Sequence, residues 1–541
     1  MIRTTVGILL SIIVRGAAGA DTPATAATAN TVGRYDVFEA TVTCAEIFVN
    51  PFTDAQVRGT FTGPDGKSIE VDGFYYQGQE WKVRFVPGKV GAWTYTAELT
   101  SKGEPVRAAG KFECVETKRH GFVRISKRNP YRLEYDDGTP FYPIGQQCGC
   151  GVGEKVGFDA PDDTAWVNTD RETFMKAFTG ATNLMRSQLG CGTSAGVAMQ
   201  ILNGKDGLDR YELDACLKLD DSCRVLHQHG WSHILIPFQD MSLWGDGKTA
   251  FGNVRDTEHY KTLKNPQLPE LDRYLRYVVA RWGAYVDIWE IYNEDSYSPS
   301  DYLAHLAKTI RDADPYTHPI TTSYERPAEA WCELLSVHEY MGNPPNEVPG
   351  HLSKEIARFK SYGKPVLYTE FGNQAVYSND DPVKWRVAVW TAFMNECSIG
   401  FWNMSGRRTK PKDKGGPVNA YLGEESRKHF KILNEFTRDL PVSLRPVTPG
   451  FTSEQPIQSW ALGNEKLTVL YLHHFRAYEP ITIKDALHIW TGPGKFHVKW
   501  IDPASGKVLG ENDLSANGNA LEVKAPEFSI DIAARIERVG N

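Results

Sequence analysis

Val286-Asp287-Ile288-Trp289-Glu290-Ile291-Tyr292-Asn293-Glu294-Asp295 is an apolar run that gathers amide and carboxyl groups at the point where it stops. Such a segment reads as a buried strand whose far end is exposed to chemistry, the pattern of a parallel sheet in which polar side chains collect at the carboxyl ends of the strands. Pro365-Val366-Leu367-Tyr368-Thr369-Glu370-Phe371-Gly372 repeats the pattern, with one carboxylate ending an apolar strand. Working outward, strands are predicted at Phe141-Pro143-Gly145, Thr182-Arg186, His233-Phe238, Val286-Tyr292, Ile320-Ser323, Leu335-Glu339, Val366-Glu370 and Ile399-Met404. Amphipathic stretches separate them, including Leu213 to His229 and Leu271 to Trp282, and Ser298-Pro299-Ser300-Asp301 offers capping residues for a helix ending near Ala313. Eight such alternations predict an α/β fold, a (β/α)8 TIM barrel over residues 119–440, rather than an open doubly wound sheet.

The flanks alternate at period two instead. Val37-Phe38-Glu39-Ala40-Thr41-Val42 and Trp81-Lys82-Val83-Arg84-Phe85, separated by turns such as Gly63-Pro64-Asp65-Gly66, predict a β-sandwich over 32–118. Leu467-Thr468-Val469-Leu470-Tyr471-Leu472 and Phe496-His497-Val498-Lys499-Trp500-Ile501 predict another over 441–541. Residues 1–20 combine Arg3, an apolar run from Val6 to Val14 and Ala17-Ala18-Gly19-Ala20, the layout of a signal peptide, and a Thr/Ala-rich tether follows over 21–31. A secreted or bacterial periplasmic location is therefore expected. The apolar run falls short of the about 20 residues that cross a bilayer, so no stable membrane span is expected.

At 541 residues the chain has room for a large barrel and further units, and its 41 % hydrophobic and 23 % charged residues are those of a globular protein. A net charge of -7 and the absence of a Lys/Arg-rich run argue against nucleic acid as a partner. Fourteen Trp and 24 Tyr offer flat faces with polar handles that suit sugars, although aromatic cores account for many of them. Nine cysteines leave at least one unpaired. Cys44 and Cys114 lie in strand-like runs of one unit and could form a staple in an oxidising compartment. Cys148, Cys150 and Cys191 lack the spacing of a zinc site, so neither metal nor cofactor is expected.

Two carboxylates meeting across a barrel mouth suit the hydrolysis of a glycosidic bond, which takes one carboxylic acid at the leaving oxygen and one carboxylate at the anomeric carbon. Glu294, in apolar and aromatic surroundings, is expected to keep a proton and serve as the acid, and Glu370 to remain ionised and attack. The Asn293-Glu294 pair and Glu370 resemble the signature of the clan A glycoside hydrolases, a superfamily of retaining (β/α)8 enzymes. The resemblance implies roles for five further positions. Arg186, ending strand two, would hold the nucleophile ionised, and His338 and Tyr340 would bind substrate and orient the nucleophile. Trp402 on strand eight would stack on a sugar, and Asn293 would bind the 2-hydroxyl. The N-terminal unit, through Tyr35-Phe38-Glu39, Trp81-Arg84-Phe85-Pro87 and Gly91-Trp93-Tyr95, resembles an uncharacterised β-sandwich found ahead of such barrels. The tail, through Val498 to Pro503 and Gly506-Lys507-Val508, resembles the collagen-binding-like sandwich of the same enzymes.

Plainer readings compete with each assignment. Most glutamates are solvated surface acids, and it is the joint placement of two at the ends of strands four and seven that disfavours coincidence. Arg186 could be a buried structural partner of an acid, His338 a core histidine, and Tyr340 and Trp402 core aromatics. Glu290 lies four residues before Glu294, which on a straight strand places it about 13 Å deeper and away from a shared substrate. A non-catalytic glycan- or cell-wall-binding protein on a degenerate barrel is the main alternative, and an inverting hydrolase, whose carboxylates stand roughly 6.5 to 9.5 Å apart, is a third. A polysaccharide or oligosaccharide is the expected partner. Sugar, linkage and exo or endo action reside in βα loops, for which Gln147 to Asp170 and Asp240 to Pro266 are candidate walls. The sequence leaves the oligomeric state open.

Overall fold

The computed structural model describes residues 30–147, 171–189, 201, 208–239, 248–249, 252–253, 268–296, 298–372, 381–402, 422–450, 456–474, 480–482 and 486–540. The segments 1–20 and 21–31 (to residue 29), Cys148, Cys150, Cys191 and most of the two candidate wall stretches lie outside them. Eight parallel strands form one sheet: β1 (Ile144–Gln147), β2 (Leu184–Gln188), β3 (Ser232–Ile236), β4 (Ile288–Glu290), β5 (Ile320–Thr321), β6 (Leu335–Tyr340), β7 (Val366–Gly372) and β8 (Cys397–Phe401). Their order is β5-β4-β3-β2-β1-β8-β7-β6, a nearly closed ring. Across the remaining gap, the Glu333 N–H donates to the Ile320 carbonyl at 2.8 Å and the Thr321 hydroxyl to the Leu334 carbonyl at 2.7 Å. Helices α1 (Arg171–Phe178), α2 (Leu213–Gln228), α3 (Leu268–Trp282), α4 (Ser300–Ala313), α5 (Val348–Lys360), α6 (Pro382–Met394) and α7 (Glu424–Thr437) alternate with the strands, except that β5 passes to β6 without a helix. This is the expected TIM barrel flanked by β units.

The barrel interior is layered by side-chain parity. Leu184, Ile234, Ile288, Leu334 and Leu367 form an apolar floor with Val123, Leu133 and Phe141. The last three belong to an antiparallel sheet, Val123–Ile125, Leu133–Tyr135 and Pro140–Phe141, which closes the amino-terminal end. Phe141 is therefore part of this plug, and the first barrel strand begins later than predicted, at Ile144. Gly145 and Gly400 are register partners on β1 and β8, and a Cβ at Gly145 would lie 3.0 Å from the Gly400 Cα, so the two strands approach there only as glycines. Two residues along β2 from Leu184, the lumen turns polar at Arg186, and then at Gln188. The strand thus runs past Arg186, where it was expected to end.

Ser298 does not cap α4. The helix starts after Pro299 with no side-chain cap, and the Ser298 N–H instead donates to Asp295 Oδ1 at 3.0 Å, folding the preceding turn onto the end of strand four.

The N-terminal β unit packs a five-stranded sheet on a three-stranded one around Phe61, Trp81, Phe85 and Phe112, with the Phe61 and Phe85 rings stacked at 4.1 Å. Cys44 and Cys114 both point into this core as free thiols, so the expected staple is not formed. Burial pushes the Cys114 thiol up to about 11 and keeps it protonated at neutral pH. The C-terminal unit builds a six-stranded antiparallel sheet over two short strand pairs, Pro480–Ile481 with Phe528–Ser529 and Leu487–Trp490 with Ala520–Val523. Among the described residues no helix is long and apolar enough to cross a membrane.

Both β units are joined to the barrel through buried ion pairs. At the N-terminal seam Arg84 donates to Glu39 at 3.0 Å, to Asp220 on α2 at 2.9 Å and to the Arg281 carbonyl at 2.5 Å. Asp220 also accepts from Arg281 at 2.6 Å and from the Trp282 indole at 2.9 Å. Burial pushes the Asp220 carboxyl up, but the two guanidinium groups outweigh it and hold the group below the ordinary range. At the C-terminal seam Arg386 on α6 grips Asp531 with two bonds of 3.0 and 2.9 Å, and Trp390 stacks on Tyr471 at 5.4 Å. Because Asp220 is the carboxylate shared by two buried guanidinium groups, Asp220→Asn should cost about 3–5 kcal/mol and lower the first thermal transition by several degrees, measured by calorimetry. An unshifted transition would show that the seam carries no such charge balance.

Candidate active site

Two breaks in strand parity assemble the mouth of the barrel. Strict alternation along strand four would put residues 288, 290 and 292 on one face, but β4 ends at Glu290 and the chain re-pairs as Tyr292–Asn293 beside Phe238–Gln239. Tyr292 turns outward to stack on Phe238 at 5.0 Å, so Asn293 faces inward, and Glu294 takes a left-handed backbone with φ 53°. Its N–H donates to the Ser323 hydroxyl at 3.2 Å, which pins the turn. On β7 the pairing with β6 skips Thr369, matching Val337 to Tyr368 and His338 to Glu370. This bulge brings both Thr369, bonded to Ser336 at 2.5 Å, and Glu370 into the lumen.

At the centre lies Arg186, buried, with its planar fork fully used. Nε and Nη2 donate to Glu290 at 2.8 and 2.6 Å, Nη1 to Glu370 at 2.6 Å, and Nη2 also to Asn293 Oδ1 at 2.8 Å. Burial opposes its charge, but Glu290 and Glu370 outweigh it and raise its already high basicity further. Glu290 thus belongs to the cluster through its long side chain and that of Arg186, although a straight strand would have kept it apart. Glu370 also accepts from Gln147 at 3.1 Å, from Gln188 at 3.3 Å and from the Tyr340 hydroxyl. Burial pushes the Glu370 carboxyl up, yet the His338 imidazole, the Arg186 guanidinium and these hydrogen bonds hold it below the usual carboxylate range. Tyr340 is driven the other way, burial and the adjacent Glu370 charge keeping its hydroxyl protonated.

His338 links the two predicted carboxylates. Its Nδ1 lies 3.0 Å from Glu294 Oε1 and 3.5 Å from Glu370 Oε2, and its Nε2 is 3.3 Å from Arg186 Nη2. The Nδ1 edge of the ring is the one that faces Glu294. One donor atom from each of Glu294, His338 and Glu370 falls within a 4.8 Å sphere of mutual distances, the one grouping of potential metal-ligating side chains among the described residues. The oxygens of Glu370 are already occupied by several donors, an arrangement suited to an orienting cradle.

The structure therefore brings Glu294, Glu370, Asn293, Arg186, His338 and Tyr340 together. Trp402 is displaced: β8 ends at Phe401, and Trp402 lies one residue beyond, half-buried, with its N–H donating to the Phe371 carbonyl at 3.0 Å. Sequence reading missed Gln147, Gln188, Glu290 and Ser323, whose hydroxyl donates to Glu290 at 2.7 Å. Gln188 was visible as the residue two positions beyond Arg186 and so on its face. Of the other aromatics near the barrel, Trp231 packs in the core near Phe174, and the Tyr292 and Tyr302 hydroxyls are 3.1 Å apart behind the strand.

A family profile described as "Domain of unknown function (DUF5060)" matches residues 31–100. No curated protein matches the chain. Among solved structures, a Bacteroides vulgatus protein assigned as a glycoside hydrolase is 18 % identical with a TM-score of 0.67, over 94 % of this chain and 100 % of its own, a likeness of fold. A family 5 mannosidase variant from Rhizomucor miehei is 12 % identical with a TM-score of 0.43, over 60 % of this chain and 99 % of its own. A family 30 endoxylanase from Clostridium papyrosolvens is 11 % identical with a TM-score of 0.40, over 74 % and 98 %.

Because the folded protein depresses the Glu370 titration, the Arg186–Glu370 pair adds stability that is present above the ordinary carboxyl pKa and lost as pH falls through the lower folded value. Arg186→Met should therefore cost about 3–5 kcal/mol at pH 7 and progressively less in acid, read from urea unfolding at several pH values. Equal losses at every pH would contradict the pairing.

Proposed function

We propose that this chain is a retaining glycoside hydrolase of the clan A type, acting on a polysaccharide or oligosaccharide, with Glu370 as nucleophile and Glu294 as acid and base. The observation that carries this reading is the approach of Glu294 and Glu370 carboxylate oxygens to within 4.8 Å. A separation near 5 Å suits direct attack on the anomeric carbon, whereas inversion leaves roughly 6.5 to 9.5 Å for a water.

In the first step Glu370 attacks the anomeric carbon while the glycosidic bond breaks and Glu294 gives its proton to the leaving oxygen. In the second, Glu294 takes a proton from water, whose oxygen displaces Glu370 and restores both carboxyl groups. Arg186, Tyr340, Gln147 and Gln188 keep Glu370 ionised and fixed in direction, so no reorganisation is needed as its charge is spent on the new bond. The Nδ1 edge of His338 orients Glu294. Arg186 and Gln188 both donate to Asn293 Oδ1, at 2.8 and 3.1 Å, which turns its amide so that Nδ2 can donate to a sugar 2-hydroxyl. Trp402, just past β8, is the proposed stacking surface for the sugar held over Glu370. Export through residues 1–20 belongs to the same proposal.

A 2-fluoro glycoside of the cleaved sugar should leave a stable adduct that mass spectrometry of peptides places on Glu370; an adduct elsewhere would refute the assignment. Tyr340→Phe removes a hydrogen bond that favours the ionised Glu370, so the acid limb of kcat/KM should move to higher pH. An unmoved limb would mean that Glu370 is not the base that this limb reports.

A further inference from the structure

Tyr324 follows β5 and stands at the mouth with 39 % of its surface exposed, one of few large aromatic side chains left open among the described residues. Its ring lies 6.0 Å from that of His338 at an interplanar angle of 65°, and His338 in turn holds Glu294. The backbone on both sides is fastened to the end of strand four. The Ser323 N–H donates to the Tyr292 carbonyl at 3.1 Å, and the Asp295 N–H to the Ser323 carbonyl at 2.8 Å. Arg326 bridges the Asp295 carbonyl at 2.9 Å and the Tyr324 carbonyl at 3.3 Å. The ring is therefore presented by a rigid turn beside His338, whose other neighbour is the Glu294 carboxylate.

We propose that Tyr324 is the stacking platform for the sugar on the leaving-group side, an inference that rests on the hydrolase reading above. Among the described residues, two aromatic side chains beyond strand ends divide accordingly. Trp402 follows β8, next to the strand that carries Glu370, and Tyr324 follows β5, next to the strand that carries Glu294. The bond to be cut lies between these carboxylates, so the sugar that stays faces the β7–β8 side and the sugar that leaves faces the β4–β5 side. A tyrosine ring covers the C–H face of a pyranose, and a pre-ordered ring loses little entropy on binding.

The test compares two substrates of the full chain: the oligosaccharide that the wild type cleaves, and the fluoride of the retained sugar with the same anomeric configuration. Fluoride departs without a ring to stack. Tyr324→Ala should lower kcat/KM for the oligosaccharide about tenfold and leave the fluoride within about twofold, and Tyr324→Phe should keep both near wild type. Equal losses on both substrates, no loss on the oligosaccharide, or a Phe variant as poor as the Ala variant would overturn the platform. A wild-type chain that releases sugar from no member of a polysaccharide and oligosaccharide panel would overturn the hydrolase reading itself, an outcome distinct from failure of the variants alone.

Discussion

The site depends on one guanidinium. Arg186 is buried with both carboxylates it serves, Glu290 below and Glu370 above, so a single cation sits between two anions in a medium where an unpaired charge is costly. A lysine could not replace it, because a point charge lacks the planar fork that reaches Glu290 through Nε and Nη2 while Nη1 is turned to Glu370. Glu290 thereby acquires a purpose: it anchors the arginine so that the remaining donor is aimed in one direction. The polar shell around it, Gln147, Gln188, Asn293, Ser323 and Tyr340, adds hydrogen bonds to these charged groups and within itself, which lets a charged layer persist above an apolar floor.

Most of the fold could be read from the chain because periodicity is a strong signal. The eight apolar runs and the helices between them reappear in order, and Glu294, Glu370, Arg186, His338 and Tyr340 converge as the strand ends suggested. What escaped reading was local geometry that no period encodes. The bulge at Thr369 and the interrupted strand after Glu290 each reverse the side-chain face, and both reversals follow from pairing with neighbouring strands rather than from the segment itself. The same blindness explains the misjudged depth of Glu290, which assumed a straight strand and ignored the reach of side chains. Phe141 was read as barrel because an apolar residue in a plug looks like one in a strand. The free Cys44 and Cys114 show that two cysteines in one sandwich core need share no bond.

Aromatic residues were the least legible class. Fourteen tryptophans and 24 tyrosines cannot be sorted by type into packing and recognition. The structure divides them by position: Trp282, Trp289, Trp385 and Trp390 are sealed behind the strands, whereas Tyr324 and Trp402 stand beyond strand ends, where the barrel's polar layer meets the mouth.

The seam around Arg84, Asp220 and Arg281 has a consequence for how the chain can be dissected. Arg281 lies at the end of α3 with its guanidinium against Phe74 and Tyr76 of the N-terminal unit, at 5.1 Å from each ring. A barrel cut free of that unit would keep the Arg281–Asp220 pair but lose Arg84 and the rings that cover the pair, opening a buried ion pair and its apolar surroundings to water. The two units are thus one mechanical body, and the leading β unit is a foundation stone rather than a pendant on a string.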